Sequence, residues 1–317
     1  MALDRRFLYW GTFFVAAGVV LLAAQAVTLD NAFFDAVWRL WPVAIIAIGA
    51  AILLRRTRFA VAGGVLAAAM PGVLLGGLIA VAPNISVGCE RGAPASYSTD
   101  QGTFDGPAAI DLTLRCGAVT VTSAPGNGWN LETGNTRNID ANVVVSPGRL
   151  SVDSGRGHGW FVGGRDDWRL TLPTATRLDV NAEVDAGQGR LDMAGAVLGT
   201  MGLRVNAAEG ELDLTNATVD HLSVHVNAGS TDVRLPAADD LTGDLSVNAG
   251  SLKVCAPAGT GVRVQSDVSL GSGDYNGLVR NGGVWESPDY ATAAHHIDLT
   301  ASVNLGSIVL NPAGGCK

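Results

Sequence analysis

The chain has 317 residues, 16% of them charged, a mean hydropathy of +0.27 and a formal net charge of −8. A composition this apolar excludes a largely disordered chain, and the acidic balance argues against nucleic acid as a partner, because that binding needs a basic surface. The only lysines are Lys253 and Lys317, neither preceded by Gly, so a phosphate-binding G-x-x-x-x-G-K loop is excluded as well.

In chain order, three long apolar runs come first. Phe7–Val27 carries no charge and, as a helix, spans about 31 Å, close to one hydrocarbon core. Ala36–Leu54 is broken only by Arg39, and Phe59–Ala82 contains Pro71 beside Gly72, Gly76 and Gly77. Membrane helices tolerate Pro and Gly where neighbouring helices cover the loosened backbone. Three successive runs argue against a cleaved signal peptide. Arg5 and Arg6 precede the first run, and Arg55, Arg56 and Arg58 separate the second from the third. The loop between the first and second holds Asp30 and Asp35. Cations favour the cytoplasmic side, so the N-terminus is expected inside and everything after Ala82 outside. Residues 1–82 hold six of the 21 cations and three of the 29 acids, a net of +3, which leaves −11 for residues 83–317.

The second part reads as an extracytoplasmic β-repeat. From Thr99 onward short apolar strands alternate with Gly, Asn, Ser and Asp. Val205-Asn206-Ala207, Val226-Asn227-Ala228-Gly229-Ser230, Val247-Asn248-Ala249-Gly250-Ser251 and Val268-Ser269-Leu270-Gly271-Ser272 follow one another at intervals of 21. Val180-Asn181-Ala182 lies 25 before Val205, one period plus four. Val303-Asn304-Leu305-Gly306-Ser307 lies 35 beyond Val268, one period plus 14. Period-two alternation places Leu203 and Val205, then Leu222, Val224 and Val226, then Leu245 and Val247, on one strand face. The seventh residue after an anchor valine is again apolar at Leu212, Val233, Val254 and Leu310. A unit of 21 cannot bury this face alone, but stacked units can. The expected fold is an α-helical membrane domain of three transmembrane helices over 1–82. A single-stack β-solenoid, about 21 residues per rung, follows over 83–317. An antiparallel sandwich is the alternative. Asn181, Asn206, Asn227, Asn248 and Asn304 are expected to form a structural amide ladder, and Gly229, Gly250, Gly271 and Gly306 to supply positive φ in the same turns.

Cys89, Cys116, Cys255 and Cys316 are even in number and all in the exterior part, where disulfides persist. Their positions along the stack predict Cys89–Cys116 and Cys255–Cys316, and no C-x-x-C pair suggests a metal. Signs of catalysis are sparse. His221 and His225 would point outward from a strand, His295 and His296 to opposite faces, and Asp166-Asp167 and Asp239-Asp240 read as solvated turns. No G-x-S-x-G occurs, and neither a metal nor a cofactor is expected. Two stretches break the repeat. Gly155–Trp168 carries Trp160, Phe161 and Trp168, and Asn276–His296 carries Trp285 and Tyr290. Exposed aromatics on such loops mark a candidate contact surface, while the plainer reading has these rings capping an end of the stack.

Leu40-Trp41-Pro42-Val43-Ala44-Ile45-Ile46-Ala47-Ile48-Gly49, ending in Leu53-Leu54-Arg55-Arg56, resembles the membrane module of LiaI/LiaF-type bacterial envelope proteins. The Val-Asn-Ala-Gly-Ser units resemble the toastrack-type adhesin-like β-domain often attached to it. The resemblance implies a non-catalytic, multi-pass cell-membrane protein that touches the lipid bilayer. It further implies a sensory or regulatory role in the envelope, through contacts with a membrane sensor kinase or another envelope protein. The four cysteines and the acidic exterior depart from that family's pattern. A structural or adhesive surface module is the alternative, and a carbohydrate-active solenoid enzyme is a third reading that would need acids clustered on one face.

Overall fold

The computed structural model describes Val15 and residues 92–154, 164–237, 239–311 and 315–316. The chain divides into two compact units, Met1–Val87 and Gly88–Lys317. The expected spans, Val15 aside, lie outside the described residues, among which no helix is long and apolar enough to cross a membrane.

The second unit is all β. Its strands are β1 (Tyr97–Thr103), β2 (Ala108–Leu114), β3 (Gly117–Ala124), β4 (Gly128–Asn135), β5 (Asn142–Ser146), β6 (Arg149–Asp153), β7 (Asp166–Pro173), β8 (Arg177–Asp192) and β9 (Val197–Asp213). They continue with β10 (Thr218–Arg234), β11 (Leu241–Cys255), β12 (Gly261–Val268), β13 (Ser272–Tyr275), β14 (Val279–Asn281), β15 (Val284–Glu286), β16 (His296–Val303) and β17 (Ser307–Leu310). β8 to β11 are long because each runs through a corner and forms two legs of one rung. In β10 the first leg buries Leu222, Val224 and Val226, Asn227-Ala228-Gly229 makes the corner, and the second leg buries Thr231 and Val233. Both inner faces feed one continuous core. Each fully buried Val or Leu contributes about 1.5–3 kcal/mol, and repetition along the stack stabilises rungs that could not stand alone.

Rungs stack in parallel with a register of 21. Val226 lies beside Val205 on one side and Val247 on the other, and Val233 beside Leu212 and Val254. Parallel pairing excludes the sandwich. The expected ladder exists: Asn227 Nδ2 donates to Asn206 Oδ1 at 2.5 Å, Asn248 to Asn227 at 2.6 Å and Asn304 to Asn248 at 2.7 Å.

Three features of the expected frame are corrected. Val184, not Val180, stacks on Val205, so the inferred insertion of four does not exist in that form. Asp185 therefore takes the ladder place given to Asn181 and accepts from Asn206 Nδ2 at 2.6 Å. Val268 does not stack on Val247. The rung of β16 and β17 lies between them, with Val247 beside Val303 and Val303 beside Val268. The other end has the same inversion, since β2 and β3 sit between β8 on one side and β6 and β7 on the other. The rung order in space is β6/β7, β2/β3, β8, β9, β10, β11, β16/β17, β12/β13. Finally, of the four corner glycines only Gly229 has positive φ, at 123°. A Cβ on Gly250 would lie 2.5 Å from the Gly229 carbonyl oxygen, and one on Gly306 2.3 Å from that of Gly250. Close stacking of backbone on backbone, rather than left-handed geometry, demands glycine there.

Antiparallel strands cover the stack's ends. β5 pairs with β6, while β4 pairs with β7 and carries β1 outside it. β15 pairs with β12, and β14 with β15.

Candidate functional site

The sequence-predicted contact residues fall in different places. Trp160 and Phe161 lie outside the described residues. Trp168 is 1% exposed and faces the core from β7, so it is a packing residue and not part of a contact surface. Period-two alternation with Leu170 and Leu172 was the signal for this. Trp285 and Tyr290 are half-buried at the far end of the stack. Trp285 enters opposite Val264 and packs against Tyr275, ring centroids 5.4 Å apart. The Tyr275 hydroxyl and Ser266 Oγ are 2.6 Å apart, so that ring closes the gap between the two legs. Tyr290 lies under the Arg263 guanidinium at 4.1 Å and donates to Asp298 Oδ1 at 2.8 Å. Burial first, and then the Asp298 carboxylate, push the Tyr290 phenol above its ordinary value. Trp285 thus lies over the last rung, on β15 beside β12, whereas Tyr290 lies against outward side chains of β12 and β16.

Outward-facing positions of leg one bring distant residues into a cleft of about 290 Å³. His221, Thr242, Asp244, Arg263, Gln265 and Asp298 line it. His221 Nε2 lies 3.4 Å from Asp244, and Arg263 donates to Glu286 at 2.9 Å while lying 3.7 Å from Asp298. Sequence spacing could not gather this set, because Asp298 reaches Thr242 only through the inverted rung order. As expected, His221 and His225 alternate outward with Leu222 and Val224. Burial, helped by Arg204, holds the His225 imidazole below its ordinary value. His295 and His296 lie 3.9 and 3.8 Å from Asp240, whose carboxylate also accepts the His296 backbone N–H at 2.7 Å. Asp166, expected in solvent, is 2% exposed and accepts from Asn135 Nδ2 at 2.7 Å. Among the described residues no group of three His, Cys, Asp or Glu is placed to hold a metal ion.

Cys255 and Cys316 form a disulfide across 61 residues, with Cα atoms 5.9 Å apart. Cys116, at the corner between β2 and β3, is disulfide-bonded as well. Cys89 lies outside the described residues. The bonded cysteine at the end of β11 ties down the chain beyond β17.

The membrane part is where the likeness to known proteins is carried. Residues 9–90 match the family model of the LiaF transmembrane domain. This is the module that Leu40–Gly49 and the arginines after it resemble, and the LiaF-type domain places the chain at the membrane, in association with the lipid bilayer. No curated protein matches the chain. Among solved structures, a protein from Clostridium sporogenes named for cell adhesion is similar at 14% identity with a TM-score of 0.47, covering 68% of this chain and 99% of that one. An adhesin-named structure from Bacteroides fragilis shows 13% identity and a TM-score of 0.29, covering 68% and 97%. Another from Parabacteroides merdae shows 14% and 0.31, covering 68% and 96%.

Proposed function

We propose that this is a non-catalytic, multi-pass regulatory protein of the bacterial envelope, acting through protein–protein contacts. The observation that carries the reading is the LiaF-type membrane domain at residues 9–90. Three spans, over Phe7–Val27, Ala36–Leu54 and Phe59–Ala82, exceed what a plain anchor needs. Their small residues, Gly63, Gly64, Gly72, Gly76 and Gly77, let helices approach closely, which suits contact with another membrane protein such as a sensor kinase. The N-terminus is cytoplasmic and residues 83–317 form the extracytoplasmic domain, as the arginine asymmetry indicates. The disulfide between Cys255 and Cys316 suits that oxidising side.

The test is deletion of the protein followed by the transcriptional response to a cell-wall antibiotic. A changed threshold or amplitude is expected. An unchanged response favours the alternative, a structural or adhesive surface module. Topology is checked separately with a reporter active only outside the cell, which should work when fused after Ala82 and fail after Arg58. The reverse result removes the exterior domain from this reading.

A further inference from the structure

An open sheet has edges, and in this stack one edge stands apart. β1 at its edge carries Asp100, β13 carries Asp274 and starts directly after the corner glycine Gly271, and β14 has three residues with Arg280 among them. β5, Asn142-Val143-Val144-Val145-Ser146, has three consecutive valines and no charge. Val144 is 51% and Val145 54% exposed. Among the described residues β6 is the only strand paired with β5, which leaves its other edge open. Natural sheets usually guard such an edge with a charge, a proline or a bulge.

The backbone directions follow from the hairpin. The two-residue turn Pro147-Gly148 closes on the pair Ser146 and Arg149, with Gly148 at φ 70°. In an antiparallel ladder hydrogen-bonded and non-hydrogen-bonded pairs alternate. Ser146, Val144 and Asn142 therefore direct their N–H and C=O groups to β6, while Val143 and Val145 direct theirs to the open edge. Pro147, next in that outward series, has no N–H, so it ends the series.

The geometry points to a second copy of this chain as the occupant, paired antiparallel through β5 about a two-fold axis at Val144. The strand is self-complementary in that register. Val143 meets the partner's Val145 in a hydrogen-bonded pair, twice by symmetry, and Val144 meets the partner's Val144 in a close non-hydrogen-bonded pair. Asn142 meets the partner's Ser146. Val143 and Val145 share a face with Val152 and Leu150 of the core, so the pairing continues the core across the axis. The flanking charges agree. Continuing the register of β5 two residues back, Asp140, which is exposed, comes near the partner's Gly148 and Arg149. Arg149 reaches Asp111 at 2.6 Å yet stays 60% exposed, so it can take a second carboxylate. An unrelated extended peptide would have to reproduce both the uncharged centre and the paired opposite charges. One strand pair buries less than the roughly 1,000 Å² of a stable free interface. The membrane domain supplies what is lacking, by confining both copies to one surface and raising their effective concentration. This inference is independent of what the protein regulates, because it concerns assembly alone.

Among the described residues every cysteine is disulfide-bonded, so Val144→Cys in the full chain adds one defined thiol. Across the axis its partner lies at a Cα separation of about 4.5 Å, within disulfide reach. In membranes treated with a mild oxidant, Val144→Cys should give a product of twice the chain's mass. It should form at least about tenfold faster than Ser98→Cys on the exposed edge strand β1. Val145→Lys placed in the Val144→Cys background should lower the rate about tenfold or more. The side chain at position 145 is exposed in the monomer, so unchanged thermal unfolding is expected and separates lost pairing from lost folding. Equal rates for Val144→Cys and Ser98→Cys overturn the proposal. So does insensitivity to Val145→Lys, or a product whose mass is that of the chain plus a different protein.

Discussion

At Gly306 one added methyl group would meet the Gly250 carbonyl oxygen at 2.3 Å and a Val247 methyl at 2.4 Å. Neither neighbour can withdraw, since each is held in its own rung, so overpacking of this kind costs about 1–3 kcal/mol or more. Gly306→Ala should lower the thermal midpoint of the β unit clearly. Gly283→Ala, with open space around its Cβ, should stay within about 0.5 kcal/mol of the parent. Equal effects would mean that the corners do not stack as closely as described. A second prediction concerns His225. Burial, aided by Arg204 and opposed by Asp244, lowers its folded pKa. The unfolded chain therefore takes up the proton at higher pH than the folded chain does. Stability is intact above the ordinary imidazole value of about 6.5 and is lost progressively as pH falls from there to the lower folded value. His225→Gln removes that proton uptake. Urea unfolding at pH about 7.5 and about 5.5 should show a smaller acid loss in the variant than in the parent. These residue-scale features were only partly legible. The glycines stand out in the sequence, but a repeated glycine in a turn looks the same whether φ or close approach requires it.

At the scale of an element, the anchor valines form the column that their spacing implies. Val226 is fully buried between Val205 and Val247, so Val226→Asp puts an unpaired charge into packed hydrocarbon at a cost of several kcal/mol. The outer face gives the control. Ser223 lies beside Asp244 of the next rung and near His225, its Oγ 3.1 Å from the ring. Ser223→Asp would set two carboxylates side by side, whereas Ser223→Lys meets Asp244 with the opposite charge and should change stability by about 0.5 kcal/mol or less. Thermal unfolding that finds Val226→Asp and Ser223→Lys equally tolerated would refute the inward frame. The amide ladder is an element too, and its donors all point one way, toward Asp185 and Glu183. A carboxylate is a fitting end for such a chain because it accepts without needing to donate. Alternation and period made the strands readable. What misplaced Val180 was the motif itself, since Val-Asn-Ala occurs at residues 180–182 by composition, four residues before the true corner at Val184-Asp185-Ala186.

For the whole molecule, the inverted order of rungs has a mechanical consequence. In a stack built in sequence order, removing the last strands would peel away the last rung. Here β16 and β17 lie inside β12 and β13. A chain ending at Asn276 should therefore lose protection from hydrogen exchange over residues 261–275 as well, because the rung those strands rest on is gone. Retained protection there would show that β12 and β13 can dock on β11 directly. The same inversion assembles the cleft of His221, Asp244, Arg263 and Asp298 from segments whose order in the chain gives no hint of it.

The sequence by itself determined the division into an apolar and an acidic part, the 21-residue rung, and the inward valines and leucines. Each of these depends on local periodicity or on composition, which burial acts on directly. Only the tertiary structure decided which rung lies next to which, because neighbouring rungs present nearly the same apolar face. Val247 can rest on the rung of Val268 or on that of Val303 with similar apolar contacts. The choice is made by what ends the stack: Tyr275 and Trp285 close the gap between the legs on the β12/β13 rung, and β15 covers its edge. End-capping is a property of two surfaces meeting, and no period along the chain encodes it.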